Sequence, residues 1–525
     1  MLPGCCRMKN RDLQATWTYH NETKHSYESI RANRHYLDWD NQPTPFKIYA
    51  ELEPIPLPHD LSSAGMTALE AISTSISPTN HPIAPSIKIL AEILYLSAGV
   101  TKRRSYPGGE ILFRAAACTG ALYHIDLYLA CGDLPGLSAG IYHFSPQDFA
   151  LKQLRDGDYR EVLVHASGRE PAAASAPLII ICASTYWRNA WKYQSRAYRH
   201  CYWDSGTILA NLLAAATARH MPAQIILGFV DETVNRLLSL DPMREGTLAL
   251  VALGNAPEKE SRFVPTVEPL VFDTVPLSKT EVDYPAIRAM HEASSLERET
   301  EVVEWRSQAL SNPSPGTASP ISTPPQVIPL QPLGDGASRD FLEEVIKRRG
   351  STRHFARQSI GSREFSTLLE RATASIPTDF DQAKEAALND IYLIVHAVDD
   401  LSPGAYVYHR DRHVLELLKH GDFRREAGYL GLGQEIPADC SVDVFFLTNL
   451  NRVLERLGNR GYRAAQLEAS ITAGKLYLAA YAQRLGASGL TFFDDDVTEF
   501  FSPHAAGKSV MFLLALGRSA RRTSG

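Results

Sequence analysis

Asp126-Leu127-Tyr128-Leu129 returns as Asp390-Ile391-Tyr392-Leu393, 264 residues further along (390 − 126), and the spacing then holds without a gap. It pairs Leu137-Ser138 with Leu401-Ser402, Gly140 with Gly404, Tyr142 with Tyr406, and the turn Gly157-Asp158-Tyr159-Arg160 with Gly421-Asp422-Phe423-Arg424. Tyr198-Arg199 meets Tyr462-Arg463 in the same way. Beyond Phe229 and Phe493 one residue is lost, and Ala252-Leu253-Gly254 aligns with Ala515-Leu516-Gly517 at 263 (517 − 254). Self-similarity at one long period is the mark of a duplicated unit.

Each copy reads as α+β. An apolar β-rich segment (Pro177 to Ala183; Val442 to Thr448) precedes a long apolar helix, and a strand closes the copy (Thr247 to Leu253; Ser509 to Leu516). The helices, Asp204 to Met221 and Arg463 to Leu485, carry Ala and Leu on nearly every face, which predicts central helices buried on several sides. Asn312 to Gly336 holds seven prolines among Ser, Thr and Gly, a linker composition. The expected organisation is a first domain with an N-terminal extension over 1–290, a Pro/Ser-rich linker over 291–338 and a second domain over 339–525. Two copies in one chain imply an internal pseudo-twofold, a pseudo-dimer whose sites draw residues from both halves.

Composition narrows the partners. Hydrophobic residues make up 44% and charged residues 21%, enough for a sizeable core in each half, and a formal charge of −6 without a Lys/Arg block argues against nucleic acid. Cys5, Cys6, Cys118, Cys131, Cys182, Cys201 and Cys440 form no CxxC pair and are odd in number, so neither zinc nor a disulfide framework is signalled. His20, His25, His35 and His124 lack HxxxH or HxxE spacing, so no metal is expected from them. No apolar run approaches a membrane span, and Arg7, Lys9 and Arg11 open the chain, with Met8 an alternative start; a cytoplasmic protein is expected.

Three motifs carry chemistry. Arg349-Gly350-Ser351-Thr352-Arg353-His354-Phe355 puts two guanidiniums and a hydroxyl within a few residues, a donor set suited to a phosphate. It resembles the R-x-S-x-[KR]-x-F signature that opens nitroreductase domains, where the motif grips the FMN phosphate. Arg114-Ala115-Ala116-Ala117-Cys118-Thr119-Gly120-Ala121-Leu122-Tyr123-His124-Ile125-Asp126-Leu127-Tyr128 resembles the SagB-type loop written PSAGALYPLELY, whose small residues let backbone approach a flavin. Here Ala117, Cys118, Thr119, His124 and Asp126 replace Pro, Ser, Ala, Pro and Glu of that loop. Trp191-Lys192-Tyr193 resembles the Lys-Tyr pair of SagB-type azoline dehydrogenases, where the two are catalytic base and acid. A partly desolvated Lys has its pKa lowered and can take a proton from carbon, while a neighbouring Tyr holds the heteroatom. Each motif also has a plain reading: a solvated basic stretch, a small-residue turn, a surface dipeptide.

The resemblance to SagB-type dehydrogenases of the nitroreductase superfamily spans nearly the whole chain apart from the linker, including the opening Tyr19-His20-Asn21-Glu22-Thr23-Lys24-His25-Ser26 and Leu37-Asp38-Trp39-Asp40. It implies two nitroreductase-like FMN-binding domains, each an antiparallel-rich sheet flanked by helices. It assigns Lys192 and Tyr193 as catalytic and Arg349, Ser351, Arg353, Cys118, Thr119, Gly120, Ala121, Leu122 and Arg518 as cofactor-binding. The motifs are also complementary between copies. At the repeat spacing Cys118 to His124 faces Gln382 to Leu388, which has no such loop, and Lys192-Tyr193 faces Arg456-Leu457. In the first copy, Ile30-Arg31-Ala32-Asn33-Arg34-His35-Tyr36 echoes the phosphate motif with Ala32 in place of Ser351. Parts for one complete site remain, and one FMN per chain is expected. The implied activity is FMN-dependent oxidation of a heterocycle or peptide-like intermediate, azoline to azole in type, beside biosynthetic partners. Two alternatives stand next to it: an NAD(P)H-dependent nitroreductase or flavin reductase, and a degenerate flavoprotein serving as scaffold.

Overall fold

The computed structural model describes residues 8–79, 81–106, 109–257, 263–309, 326–380 and 387–520. It contains two seven-stranded antiparallel sheets of identical strand order. The first runs Pro54–Pro56, Ala150–Asp156, Gly140–Ser145, Ile125–Cys131, Leu178–Thr185, Glu245–Leu253, Ala223–Ile226; the second runs Val327–Pro329, Val414–His420, Gly404–His409, Asp390–Val395, Val442–Thr448, Ser509–Gly517, Gly486–Leu490. Register repeats as well: Tyr128 opposes His143 as Tyr392 opposes Val407, and the bulge after Ile141 recurs after Ala405. The fold is α+β, each sheet flanked by helices, and the duplication is structural. Among the described residues no helix is long and apolar enough to cross a membrane.

The central helices span Ala197–Ala218 and Arg460–Ala482, and nearly every residue of both is buried. The first begins at Ala197, ahead of the expected Asp204, because the aromatic turn Tyr198 to Trp203 is buried by tertiary packing that local composition does not show. The two helices cross on the pseudo-twofold. A Cβ on Gly206 would stand 2.5 Å from the Cβ of Ser470, and one on Gly474 would stand 2.6 Å from the Cβ of Ala210. Gly206 with Ser470, and Ala210 with Gly474, are equivalent positions of the repeat, and residues that touch their own equivalents lie on the axis. A second self-contact pairs Thr67 with Phe341: Ala68 N–H donates to Asp340 O (3.0 Å) and Leu342 N–H to Met66 O (3.1 Å).

Reciprocal ion clusters lock this interface. Arg460 and Arg463 of the second copy reach Asp231 of the first, each at 2.6 Å; Arg196 and Arg199 of the first reach Asp494 of the second at 3.0 and 2.5 Å. All six side chains are buried. Burial opposes ionisation of Asp231, but the two guanidiniums prevail and hold its carboxyl down to about 2.

Of the expected linker, 310–325 lies outside the described residues. Before it, helix Glu299–Ala309 buries Val302 and Trp305, an i, i+3 apolar pair on one face. After it, Val327–Pro329 pairs with Val414–Glu416 as the edge strand of the second sheet, as Pro54–Pro56 pairs with Ala150–Lys152 in the first. Proline on an edge strand costs no ladder hydrogen bond that the sheet needs. Among the described residues the first copy alone carries a hairpin, Val100–Tyr106 with Gly109–Arg114, between its helix Ile87–Ala98 and the central strand.

Candidate functional site

One carboxylate shapes the loop that follows that hairpin. Asp204, 4% exposed on the central helix, accepts from the Thr119 amide (2.9 Å) and hydroxyl (2.8 Å) on Oδ1, and from the Cys118 thiol (3.0 Å) on Oδ2. His124 Nε2 donates to the same Oδ2 at 2.9 Å, and Nδ1 meets Ser184 Oγ at 2.8 Å. Thr207, one turn on, donates its hydroxyl to Ala117 O at 2.7 Å. Burial, then Asp204, pushes the Cys118 thiol well above its ordinary range, so Cys118 is a protonated donor and not a thiolate. Three of the five substitutions that set this loop apart, Cys118, Thr119 and His124, thus converge on one acceptor.

Held this way, the loop turns through left-handed backbone at Gly120 (φ 64°), Ala121 (φ 54°) and Tyr123 (φ 47°). Gly120 and Ala121 are exposed, while Leu122 is buried beside Trp187, Trp191 and Leu277. Glycine is required at 120 because a Cβ would stand 2.9 Å from the Tyr193 hydroxyl.

Lys192 and Tyr193 end the helix Tyr186–Tyr193, both half-buried, with Lys192 Nζ 5.4 Å from the Tyr193 ring centre. Burial, with Asp204 and Cys118 adding to it, raises the Tyr193 hydroxyl, which stays a protonated hydrogen-bond donor. The N-terminal segment covers this helix end: Asn33 Nδ2 donates to Gln194 Oε1 (2.9 Å), His35 Nε2 meets Trp191 O (2.8 Å), and Trp191 Nε1 donates to Asp38 O (3.0 Å). Trp39 packs edge-on to Trp191 at 5.3 Å.

The second copy supplies the basic motif. Arg349 is buried and bound to the strand that feeds the loop: Nε donates to Ala115 O (2.8 Å), Nη2 to Arg114 O (3.2 Å) and Nη1 to its neighbour Gly350 O (3.3 Å). Ser351 stands near the Tyr477 hydroxyl, which accepts from Gly489 N–H. Arg353 is exposed and lies near enough to Tyr193 to act on its hydroxyl. Across the interface of the copies Arg349 thus holds the strand that feeds the loop, and the Arg353 charge reaches the Tyr193 hydroxyl. Arg518 stands aside, its guanidinium on Ser359 O (3.0 Å) and Glu364 (3.2 Å).

One sequence comparison is corrected. Ile30 to Tyr36 is not the first copy's phosphate motif; it belongs to the cover over Tyr186–Tyr193 just described. The structural counterpart of 349–361, between helices Leu342–Arg348 and Ser362–Ala372, is the equally long 74–86 between Ala68–Ser73 and Ile87–Ala98. That segment contains no Arg or Lys. Asp204, His124 and Thr207 were not assigned from sequence; an acid inside an otherwise apolar helix was the available signal.

The donor set fits a flat, anionic cofactor: an exposed guanidinium and a hydroxyl for the anion, and exposed Gly120 and Ala121 where backbone can approach a ring. Comparison with known proteins follows the same lines. Residues 139–255 and 346–518 match the Nitroreductase family. The crystal structure of a nitroreductase-type protein from Anabaena variabilis superposes with a TM-score of 0.75 at 27% identity, covering 96% of this chain and 99% of its own. A nitroreductase-type protein of Methanocaldococcus jannaschii is 24% identical over 169 residues, 32% of this chain and 80% of that one. Trifolitoxin-processing protein TfxB of Rhizobium leguminosarum bv. trifolii is 28% identical over 203 residues, 36% of this chain and 54% of that protein.

Proposed function

The chain belongs to the nitroreductase family, which matches more than half of it, and from that premise we propose that it is an FMN-dependent dehydrogenase oxidising a heterocycle or peptide-like intermediate of natural-product biosynthesis, azoline to azole in type. Its membership makes it an oxidoreductase; the cofactor, direction and substrate are our reading. The observation that supports the reading is that Arg349, in the second copy's basic motif, binds the strand feeding the first copy's small-residue loop, whose Gly120 packs on Tyr193 next to Lys192. Its similarity to a toxin-processing protein supports a modified peptide as substrate.

Ser351 and Arg353 would hold the phosphate, and Arg349, spent largely on Ala115 and Arg114 carbonyls, would fix the loop to the motif. Gly120, Ala121 and Leu122 would line the ring. FMN, when bound, supplies a two-electron acceptor. Lys192 takes the proton that leaves the substrate's ring carbon, and Tyr193, kept protonated, donates a hydrogen bond to the ring heteroatom. Trp187, Trp191 and Leu277 exclude water on the far side.

The test is anaerobic single turnover of the flavin-loaded protein with an azoline-containing peptide. Bleaching of the flavin band together with loss of two hydrogens from the peptide supports the reading. Bleaching by NAD(P)H alone favours the nitroreductase alternative, and a colourless protein that refuses FMN favours a scaffold.

A further inference from the structure

At one end of the second sheet three ligand-type side chains are buried together. His396 follows the strand Asp390–Val395, Cys440 precedes the strand Val442–Thr448, and Asp443 lies within it. One ligand atom from each lies within 4.8 Å of the other two, and His396 Nε2 is 3.0 Å from Asp443 Oδ2. His396 is 6% exposed; Cys440 and Asp443 are fully buried.

Two observations separate this cluster from an ordinary buried ion pair. His396 Nδ1 and Asp443 Oδ1 are buried and make no hydrogen bond among the described residues. A buried carboxylate oxygen without a partner is destabilising, so a cation that coordinates Asp443 Oδ1 is favoured there. The duplicated fold also contains its own control. At the repeat spacing the counterparts of His396, Cys440 and Asp443 are Gly132, Ala176 and Ile179, and the strand register agrees: Asp443 opposes Ile394 as Ile179 opposes Ala130. In the first copy the Arg160 guanidinium occupies the room beside Gly132 and donates to Ala176 O. The fold does not need the three polar residues, yet the second copy has all of them in one place.

We propose that His396, Cys440 and Asp443 form a structural zinc site confined to the second copy. A thiolate, an imidazole and a carboxylate are the donor types that favour zinc, at roughly 2.0 to 2.3 Å each, which requires the three ligand atoms to close in slightly. Thiolate and carboxylate together neutralise the dication, which suits a buried site. The fourth position falls to a water or a backbone carbonyl, and the Arg424 guanidinium, donating to Ala438 O and Cys440 O, fixes the segment that presents the thiol. The ion would tie the end of one strand to the turn entering its neighbour.

The experiment uses the full-length protein purified from zinc-supplemented cells under reducing conditions. Elemental analysis should find about one zinc per chain, lost in a Cys440→Ala, Asp443→Ile double variant that copies the first half. Exchange with cobalt(II) should give a thiolate charge-transfer band that Cys440→Ser lacks, with the far-ultraviolet dichroism of a folded chain in both. Wild-type protein free of metal, with no such band on cobalt titration, reduces the cluster to a buried ion pair and overturns the proposal.

Discussion

If Lys192 is the base and Tyr193 the protonated donor that we propose, substitution separates the two roles. Lys192→Ala should leave flavin content unchanged but slow substrate-driven flavin reduction about a hundred- to ten-thousand-fold, the usual worth of a positioned base. Tyr193→Phe should lose less, since its ring still packs on Gly120. Stopped-flow bleaching with substrate reads both, and a Lys192→Ala rate equal to the parent's defeats the mechanism. For the cofactor, Ser351→Ala and Arg353→Ala should each weaken FMN about ten- to a hundred-fold, the roughly 1.5 to 3 kcal/mol of a charge-assisted contact, while Arg34→Ala, in the cover segment, should not. Titration followed by flavin fluorescence decides; an equal loss at Arg34 removes the assignment. At this scale sequence speaks when a motif's donors are neighbours in the chain, as at Arg349 to Arg353. It is silent on Asp204, whose partners at 118, 119 and 124 are brought to it by the fold.

The elements show where repeat-reading stops. The strand Val327–Pro329 had a visible twin, since Ile328-Pro329-Leu330 repeats Ile55-Pro56-Leu57, but at 273 (328 − 55), not 264. The first copy's hairpin lengthens its connection to the central strand, so a gapless comparison loses everything before it, and the proline-rich composition then invites a linker reading. Central helices announced themselves by their apolar faces, yet one carries a cost the composition hides. Lys475 is buried, donates to Ala374 O at 2.8 Å, and is held down to about 7 by burial and, secondarily, by Arg410; its counterpart Asn211 makes a similar bond to Leu96 O. Between pH about 7 and the ordinary 10.5 the unfolded chain binds a proton that the folded chain has shed, so this group makes stability rise with pH across that window. Lys475→Asn should flatten the slope and raise the melting temperature at neutral pH; a wild-type profile that is level from pH 7 to 10 counts against it.

For the whole molecule, the interface is the second half of the core. Four buried guanidiniums reach across it to two carboxylates, so Asp494→Ala, which strands Arg196 and Arg199, should cost about 3 to 5 kcal/mol in denaturant unfolding. Asp231 and Asp494 are both depressed in the fold, so their contribution is complete above the ordinary carboxylate range and is lost as pH falls from there to about 2 and below; acid should loosen the halves first. A protease site inserted within 310–325 and cut should leave the two fragments co-eluting at neutral pH and separable in acid. Saturation with FMN should stop at one per chain, because the segment equivalent to 349–361 has no Arg or Lys; a second equivalent would mean the asymmetry is only partial.

The pairs on the axis have a consequence for ancestry and for any attempt to take the protein apart. A self-associating subunit must present the same side chain from both sides wherever it crosses its own symmetry axis. Here glycine faces serine and alanine faces glycine, with room for one Cβ at each place. Two copies of the first half would set alanine against alanine at 210, and two copies of the second would set serine against serine at 470. Each half would therefore crowd Cβ on Cβ when set against a copy of itself, and is relieved of that crowding when set against the other, so the seam fits the joined chain better than either half alone.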